Sequence, residues 1–256
     1  LGDAEAAAKA ELEQRLREEL GVEVAPDQSL GEATKAEARG RLGLPMQGRV
    51  LLQVGLLASA KGAPELARSF LALPLDARRD AVLAFAGSGP AETELRELSA
   101  KSSGALRLLG QLSPLGVRDA LWAADAFVLN TRRDSNPLSA IEAAAAGLPI
   151  VMSAAAGNIR EVVEAPKTGF VILDPLDPSE ALRSVLAASD QELAEMGARA
   201  AEVARTQFDA PVVARSLIKQ LYPLRTCSYD LNANNLAKHK YKVCLEYHLG
   251  NCKGPC

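Results

Sequence analysis

The sequence is poor in aromatic residues, and its cysteines and histidines are few and unevenly placed. Phe, Trp and Tyr make up 4% of the 256 residues, and there are four Cys and two His. All of the Cys and His residues lie at positions 221–256. The preceding part of the chain therefore has no cysteine to form a disulfide and no histidine for acid–base chemistry.

Two further absences exclude classes of protein. The sequence has no run of 18 uncharged apolar residues, which argues against a membrane span, and no signal-peptide pattern follows Leu1. We therefore expect a cytoplasmic protein. A net charge of -3 gives the whole chain no electrostatic reason to bind nucleic acid. The content of 48% hydrophobic and 24% charged residues is typical of a globular chain.

The C-terminal segment 221–256 differs in composition from the rest of the chain. It holds all four Tyr, and its five basic residues outnumber its two acidic ones, whereas the rest is net acidic. This step predicts two pieces of different origin. The chain begins at Leu1 rather than Met and stops on Cys256, so we also expect a fragment or a fusion of fragments.

Residues 35–220 alternate between short apolar runs and segments with helical spacing or helix caps. Repeated strand–helix units predict an α/β fold with a doubly wound parallel Rossmann-like sheet. Residues 1–34 are predicted to form an N-terminal helix and a linker, and residues 221–256 a small irregular Cys-rich tail. The predicted strands cover residues 49–54, 81–86, 106–109, 126–130, 148–153 and 169–173.

The segment NTRRDSNPLSAIEAAAAGLP, at 130–149, follows the fourth predicted strand. In such sheets ligands bind outside the carboxyl ends of the strands. Asn136 is a predicted N-cap and Pro137 a predicted first helical residue. The N–H groups of Leu138 and Ser139 would then face the crevice, where a helix N-terminus is a natural diphosphate site. An ordinary capped helix explains the same pattern.

Three charged side chains near the strand ends can contact hydroxyl or phosphate groups. Glu142 lies on the second turn of the predicted helix, where a carboxylate can accept two hydrogen bonds from a ribose diol. Asp134 precedes it by eight residues and is within reach of a sugar hydroxyl. Lys61, followed by Gly62, can balance diphosphate charge. The alternatives are a solvated Glu142 and a surface Lys61 before a helix.

Gly87 and Gly89 occur in the turn GSGP after the second predicted strand. Glycines at such a position allow the backbone to approach a ligand closely. A plain strand–helix turn fits the same residues equally well.

Taken together, these segments resemble the donor-binding half of the family 4 retaining glycosyltransferases, which have two Rossmann-like domains. The resemblance covers residues 35–220 in order and spacing. The matching segments are GRLGLP at 40–45, VGLLASAKG at 54–62, FAGSGPAETELREL at 85–98, LRLLGQLS at 106–113, LWAADAFVLNTRRDSNPLSAIEAAAAGLPIV at 121–151, GNIREVVE at 157–164 and TGFVILDPLDP at 168–178.

The resemblance implies that this domain binds a nucleotide-diphosphate sugar as donor for retaining glycosyl transfer. It places Lys61 on the diphosphate and Glu142, the second acid of the family's Glu-x7-Glu motif, on the ribose. Asp134 takes the first acid position near the transferred sugar, so Asp134 and Glu142 are the candidate catalytic residues. The implied donor-binding set is Gly55, Lys61, Gly62, Gly87, Gly89, Gly110 (beside the base), Asn136, Pro137, Leu138, Ser139 and Glu142.

The chain departs from the family pattern in three ways. Gly55-Leu56-Leu57 stands where the family has Gly-Arg-Leu, which removes one cation from the diphosphate site. The first motif acid, Asp134, is one methylene shorter than the family's Glu. Residues 1–34 are too few for a second Rossmann domain, so the acceptor domain is missing. We therefore expect donor binding but no transfer by this chain alone.

The four cysteines of the tail have the spacing C-x16-C-x7-C-x3-C. Four thiolates suit tetrahedral zinc or an iron–sulfur cluster. A segment this short is too small to form its own hydrophobic core, so a bound metal or cluster is expected to stabilise it. A disulfide framework with three possible connectivities is the alternative. The predicted metal ligands are Cys227, Cys244, Cys252 and Cys256.

The tail sequences YPLRTCSYDL at 222–231 and KYKVCLEYHLGNCKGPC at 240–256 resemble the C component of excinuclease ABC, a nuclease of nucleotide excision repair. In that family the four cysteines are associated with an iron–sulfur cluster, here of the 4Fe–4S type, with zinc as the other possibility. Nucleic acid is a possible partner only through this tail, where the Lys-rich residues 238–242 can contact phosphates; a solvated basic loop explains the same residues by default. A third hypothesis makes the chain a non-functional chimera of two gene fragments.

Overall fold

A computed structural model describes residues 35–164, 167–209 and 212–213. The predicted N-terminal helix and linker at 1–34, most of the predicted helix at 211–220, and the Cys-rich tail lie outside the described residues. Two compact units follow one another along the chain, Leu1–Ala204 and Arg205–Cys256. The predicted domain boundary at residue 220 stays a prediction, and the fold described below belongs to the first unit.

The alternation of strands and helices is confirmed, with each predicted strand within two residues of its observed bounds. One short helix, α3, was not predicted; it begins directly after Pro74. The strands are β1 Val50–Val54, β2 Val82–Ala86, β3 Leu106–Gly110, β4 Ala126–Leu129, β5 Ile150–Ser153 and β6 Gly169–Ile172. The α-helices are α1 Lys35–Leu42, α2 Ala63–Ala72, α3 Leu75–Arg78, α4 Glu92–Ala100, α5 Pro114–Ala123, α6 Leu138–Ala145, α7 Ser179–Ala187 and α8 Asp190–Val203.

The six strands form one parallel sheet in the order β3-β2-β1-β4-β5-β6. This confirms the predicted doubly wound α/β fold. Strand β1 is central, and its Leu52 pairs with Ala84 of β2 and Phe127 of β4. The order of the strands along the sheet reverses between β1 and β4. A crevice is therefore expected where the connections leaving these two strands separate.

The strands are short apolar runs because both faces of a parallel sheet are covered by helices. In β2 every residue from Val82 to Ala86 is buried. On one face, Phe70 of α2 and Leu182 of α7 join Phe85 and Val128 in a continuous core. The helices of that face are amphipathic, which explains why spacing alone located them.

A buried ion pair ties the amino ends of the central strands together. Arg39 of α1 is only 5% exposed, and its Nη2 donates to Oδ2 of Asp125 at 2.6 Å. Asp125, which directly precedes β4, also accepts from the backbone N–H of Val50 at 2.7 Å and from Lys35 at 2.7 Å. The other guanidinium nitrogens of Arg39 donate to the carbonyl oxygens of Ala123, Pro45, Met46 and Gly48.

Helices α7 and α8 are separated by a capping box at Ser189. The Ser189 hydroxyl accepts from the backbone N–H of Glu192 at 3.2 Å, and the Ser189 N–H donates to Glu192 Oε2 at 2.7 Å. The backbone bond lowers the pKa of the Glu192 carboxyl below its usual value. The cap therefore stabilises α8 at neutral pH, and its contribution is lost as the pH falls through that lowered pKa.

Replacement of Asp125 by Ala is expected to destabilise the domain by roughly 3–5 kcal/mol, because the Arg39 guanidinium stays buried without its carboxylate. Urea unfolding followed by circular dichroism measures the loss. Asp119→Ala is the matched control, since Asp119 pairs at 2.7 Å with Arg41, whose side chain is 47% exposed. Its cost should be smaller. Equal losses from the two substitutions would contradict the role assigned to the buried pair.

Candidate functional site

A cavity of about 240 Å³ lies at the carboxyl ends of β1 and β4. It occupies the point where the order of the strands reverses, the position expected for a ligand in this type of sheet. One wall is the end of β1 with the turn that follows it, and the other is the loop leading into α6. The lining residues are Gln53, Val54, Gly55, Leu56, Lys61, Leu129, Asp134, Asn136, Pro137, Leu138 and Ser139.

A second, larger hollow of about 570 Å³ lies at the amino ends of the strands, with Arg39, Arg49 and Asp125 in its wall. The charges named there are already used to hold the fold together. Arg49 donates to the carbonyl oxygens of Val185 at 2.6 Å and Leu186 at 3.0 Å, and Arg39 and Asp125 form the buried pair. We therefore place the candidate site at the carboxyl ends of β1 and β4.

The predicted site residues divide into two groups. Seven of them share the cavity wall: Gly55, Lys61, Asp134, Asn136, Pro137, Leu138 and Ser139. Glu142, which is exposed on the second turn of α6, lies outside the lining set. Four glycines, namely Gly62, Gly87, Gly89 and Gly110, lie outside the lining set.

Gly87 and Gly89 pack against the backbone that follows β1. A Cβ on Gly87 would lie 2.0 Å from the carbonyl oxygen of Gly55, and one on Gly89 would lie 2.4 Å from that of Leu57. Both residues also have positive φ angles. The close approach that these glycines allow is therefore made to protein backbone. Gly110 ends β3 with φ +69°, and its carbonyl accepts from Gly87 N–H at 2.7 Å.

Lys61 and Asp134 form a direct ion pair across the cavity. Their side chains are 27% and 17% exposed, so the pair is partly shielded from water. The second carboxylate oxygen of Asp134 accepts from the backbone N–H of Asn136 at 3.2 Å. The pair thereby joins the turn after β1 to the loop after β4. An anionic ligand that binds Lys61 must compete with Asp134 for the ammonium group.

Leu56 stands at the position of the family arginine and lines the cavity with 54% of its surface exposed. Arg132 does not supply the absent cation, because its guanidinium donates to Glu65 Oε1 at 2.7 Å. Neither Arg132 nor Arg133 is in the lining set. Among the described lining residues, Lys61 is therefore the only cation.

The start of α6 differs from the prediction. Pro137, with φ -67° and ψ 104°, occupies the N-cap position, and Asn136 precedes it without capping the helix. The reason is that Asn136 Oδ1 accepts instead from Nδ2 of Asn158 at 2.9 Å. This bond links the start of α6 to the loop after β5. The early N–H groups of α6 still have no acceptor within the helix.

Three buried polar residues at the strand ends were not predicted to belong to the site. Gln53 is 1% exposed, and Asn130 and Thr131 are fully buried. All three donate to the turn that carries Lys61. The available sequence signal was the glutamine in VLLQV, a polar residue inside an otherwise apolar strand.

The sheet order and the position of the cavity define a Rossmann-like domain with its ligand crevice at the switch point of the strands. Comparison with known families then identifies the chain. The family described as "Glycosyl transferases group 1" matches residues 34–207. This match includes every strand and α-helix named above. The chain belongs to the group 1 glycosyl transferases.

Solved structures agree with this assignment. Sucrose-phosphate synthase from Thermosynechococcus elongatus is 25% identical, with a TM-score of 0.61 over 73% of this chain and 48% of that one. HepE of Anabaena, solved in complex with UDP-glucose, shares the fold at 18% identity, with a TM-score of 0.62 over 74% of this chain and 52% of its own. The chain thus spans about half the length of these structures.

A different relative confirms the resemblance of the C-terminal segment. UvrABC system protein C of Flavobacterium johnsoniae is 61% identical over 51 residues, which is 20% of this chain and 8% of that protein. The four cysteines lie outside the described residues, so the predicted metal site stays a prediction. Within the described ranges, no group of three or more His, Cys, Asp or Glu side chains is placed to hold a metal, and no helix is long and apolar enough to cross a membrane.

Asp134→Asn is expected to tighten binding of inorganic pyrophosphate by about three- to tenfold, because the substitution frees the Lys61 ammonium and removes a negative charge beside the anion. Isothermal titration calorimetry measures the change. Asp76→Asn, which removes the same charge from an exposed position on α3, controls for net charge. Unchanged affinity in Asp134→Asn, together with weaker binding in Lys61→Met, would show that the ion pair does not restrain the lysine.

Proposed function

We propose that the Rossmann-like domain binds a nucleotide-diphosphate sugar in the cavity and supplies the donor half of a retaining glycosyltransferase site. The observation that carries the proposal is that Lys61 and the start of α6 line the same cavity, in a chain of the group 1 glycosyl transferases. The UDP-glucose complex of HepE, which shares the fold, supports a nucleotide sugar as the ligand.

In this proposal the diphosphate lies between the Lys61 ammonium and the first N–H groups of α6. Both are positive ends, one a full charge and the other the partial charge of a helix N-terminus. Cleavage of the bond between the sugar and the diphosphate leaves negative charge on the departing phosphate oxygens. Groups already fixed around that position stabilise the developing charge without reorganisation. Lys61 and α6 would therefore bind the donor and promote departure of its leaving group.

The two candidate catalytic acids have different tasks in the proposal. Glu142, exposed one turn into α6, accepts hydrogen bonds from the ribose hydroxyls and fixes the nucleoside. Asp134 is released from Lys61 when the diphosphate binds, and its carboxylate then faces the sugar. Leu56 provides an apolar surface where a guanidinium would otherwise contact the diphosphate.

Transfer requires an acceptor bound beside the sugar, and with retention the new bond forms on the face from which the diphosphate departs. In the family, a second Rossmann-like domain binds this acceptor. The present chain spans about half the length of the solved structures it matches. We therefore propose that this chain binds the donor but is inactive in transfer without an acceptor domain.

A nucleotide sugar at about 100 times its Kd should stabilise the domain by about 2.7 kcal/mol, or about 5–10 °C in Tm for a domain of this size. Thermal unfolding of the full chain with UDP-glucose and with a GDP-linked sugar measures this. Glu142→Ala should lose most of the shift, because the ribose hydroxyls lose their carboxylate partner.

Glu97→Ala is the matched control for this experiment. Like Glu142, Glu97 is exposed on a helix and outside the lining residues, but its helix, α4, does not begin at the cavity. Its ligand-induced shift should equal that of the unchanged chain. Absence of any shift at millimolar nucleotide sugar would remove the support for donor binding. An equal loss in both variants would remove the role of Glu142.

We propose a separate origin for the C-terminal segment, favoured by its 61% identity over 51 residues to UvrABC system protein C. In a chain of 256 residues, a match of 51 residues begins no later than Thr206. The family match of the first unit ends at residue 207, and the division into two units follows Ala204. These three positions support a junction near residue 205, earlier than the join expected from the tail sequence. The chain would then be a chimera of two incomplete proteins.

The proposed metal site of the tail is tested by chemical analysis of the full chain, prepared without oxygen. Bound iron with acid-labile sulfide is expected, because four thiolates suit an iron–sulfur cluster. The Cys244→Ser and Cys252→Ser variants should lose it. Stoichiometric zinc in place of iron would support the structural-zinc alternative instead. Four thiols that react freely in the metal-free chain would contradict both.

A further inference from the structure

We infer that Gln53, Asn130 and Thr131 are positioning residues that fix Lys61 for its contact with a diphosphate. The inference rests on the proposed function, and it concerns residues to which the family motif assigns no role. None of the three is charged. Each is proposed to act through the backbone of the turn that carries Lys61.

Three consecutive carbonyl groups, those of Ala60, Lys61 and Gly62, lie in and directly after the 3₁₀ turn Ser59–Lys61. Each accepts a hydrogen bond from a side chain at a strand end. Thr131 Oγ1 donates to the carbonyl of Ala60 at 3.2 Å, Gln53 Nε2 to that of Lys61 at 3.3 Å, and Asn130 Nδ2 to that of Gly62 at 3.2 Å. The turn is thus held at every peptide group around Lys61.

The donors come from the two strands that flank the crevice. Gln53 belongs to β1, while Asn130 and Thr131 directly follow β4. The backbone adds a further bond, from Arg132 N–H to the carbonyl of Ala60 at 2.9 Å. The Lys61 turn is therefore fastened to both walls of the cavity, and its position follows the ends of the sheet.

At Gly62 the turn lies directly against the backbone that follows β4, so it cannot move further towards that strand. Its φ is +63°, and a Cβ on it would lie 1.9 Å from the carbonyl oxygen of Asn130. The glycine is needed because the turn touches the backbone after β4 at this point. The predicted involvement of Gly62 in the site is thus explained by its contact with Asn130.

The two buried amides carry a cost that points to a task other than stability. Gln53 Oε1 and Asn130 Oδ1 are buried, and neither has a hydrogen-bond partner within the described residues. A buried polar atom without a partner costs folding free energy, and an apolar side chain of similar size avoids that cost. An apolar side chain in place of Gln53 would avoid this cost, but it would lose the hydrogen bond that fixes the turn.

Fixing the turn matters because the lysine side chain is long and flexible. Its ammonium is a point charge on a four-carbon stem with no rigid geometry of its own. A displacement of about 1 Å in a positioning contact can reduce the rate or affinity of a site by up to a hundredfold. A fixed backbone position for Lys61 therefore limits the positions that its ammonium group can occupy in the cavity.

The test is a double-mutant cycle between Gln53 and Lys61 in the full chain. UDP, GDP and ADP are titrated by NMR, which measures weak binding, and the tightest of the three is used. Gln53→Met is expected to raise its Kd by about tenfold while leaving Tm equal or higher. In the Lys61→Met background, the same Gln53→Met change should alter Kd by less than about twofold, because the lysine on which it acts is absent.

Three controls separate positioning from a structural effect. Leu52→Met changes the preceding residue of β1, which is also fully buried, and should leave the nucleotide Kd unchanged. Binding of the matching nucleoside, which has no phosphate, should be equal in the unchanged chain and in Gln53→Met. Amide hydrogen exchange of residues 59–66 in the ligand-free chain should be faster in Gln53→Met only.

Thr131→Val supplies a second, isosteric variant if Gln53→Met does not fold, and it should weaken nucleotide binding in the same Lys61-dependent way. A tenfold loss that persists in the Lys61→Met background overturns the inference, as does unchanged nucleotide affinity in both Gln53→Met and Thr131→Val. If the unchanged chain binds none of the three nucleotides, the proposed function fails and the inference fails with it. Normal binding that depends on Lys61 but not on Gln53 or Thr131 overturns the inference alone.

Discussion

The reversal of strand order between β1 and β4 is the constraint on which the site depends. A parallel sheet can enclose a crevice only where the connections from two neighbouring strands leave in opposite directions. The cavity lies at that point, and its two walls are the segments that follow these strands. At the other end of the same strands, Asp125 binds both Arg39 and the N–H of Val50. One ion pair thus holds together the two strands whose far ends form the site.

Charge is used sparingly in the cavity, and this shapes what the site can bind. Lys61 is the only cation among the described lining residues, and it is paired with Asp134. The departure of Leu56 from the family pattern leaves this lysine to act with the partial charge of a helix terminus. A site with so few charges depends on the accurate position of each one. The buried polar side chains that hold the Lys61 turn therefore matter for ligand binding.

Within the described residues, the sequence predicted every strand and most helices, because short apolar runs and helical spacing are properties of neighbouring residues. Seven of the predicted site residues line the cavity, since the strand ends of a parallel sheet meet at one edge, whereas Glu142 and four predicted glycines lie outside the lining set. Asn136 was wrongly placed as a helix cap because its partner, Asn158, lies 22 residues further along the chain. Gln53 and Asn130 were missed for a related reason: their role is visible only when the turn they hold is seen in space. Local pattern cannot show which distant carbonyl a buried amide serves.

The separation of Asp125 from the cavity has a consequence for engineering. The two lie at opposite ends of the central strands, about 15 Å apart at 3.3 Å for each residue of a parallel strand. Changes so far apart, without shared partners, combine additively. The amino ends can therefore be redesigned for durability, or fused to a new neighbour, while the ligand-facing rim stays untouched. Stability and ligand binding thus depend on opposite ends of the central strands: the amino ends carry the buried ion pair, and the carboxyl ends carry the cavity.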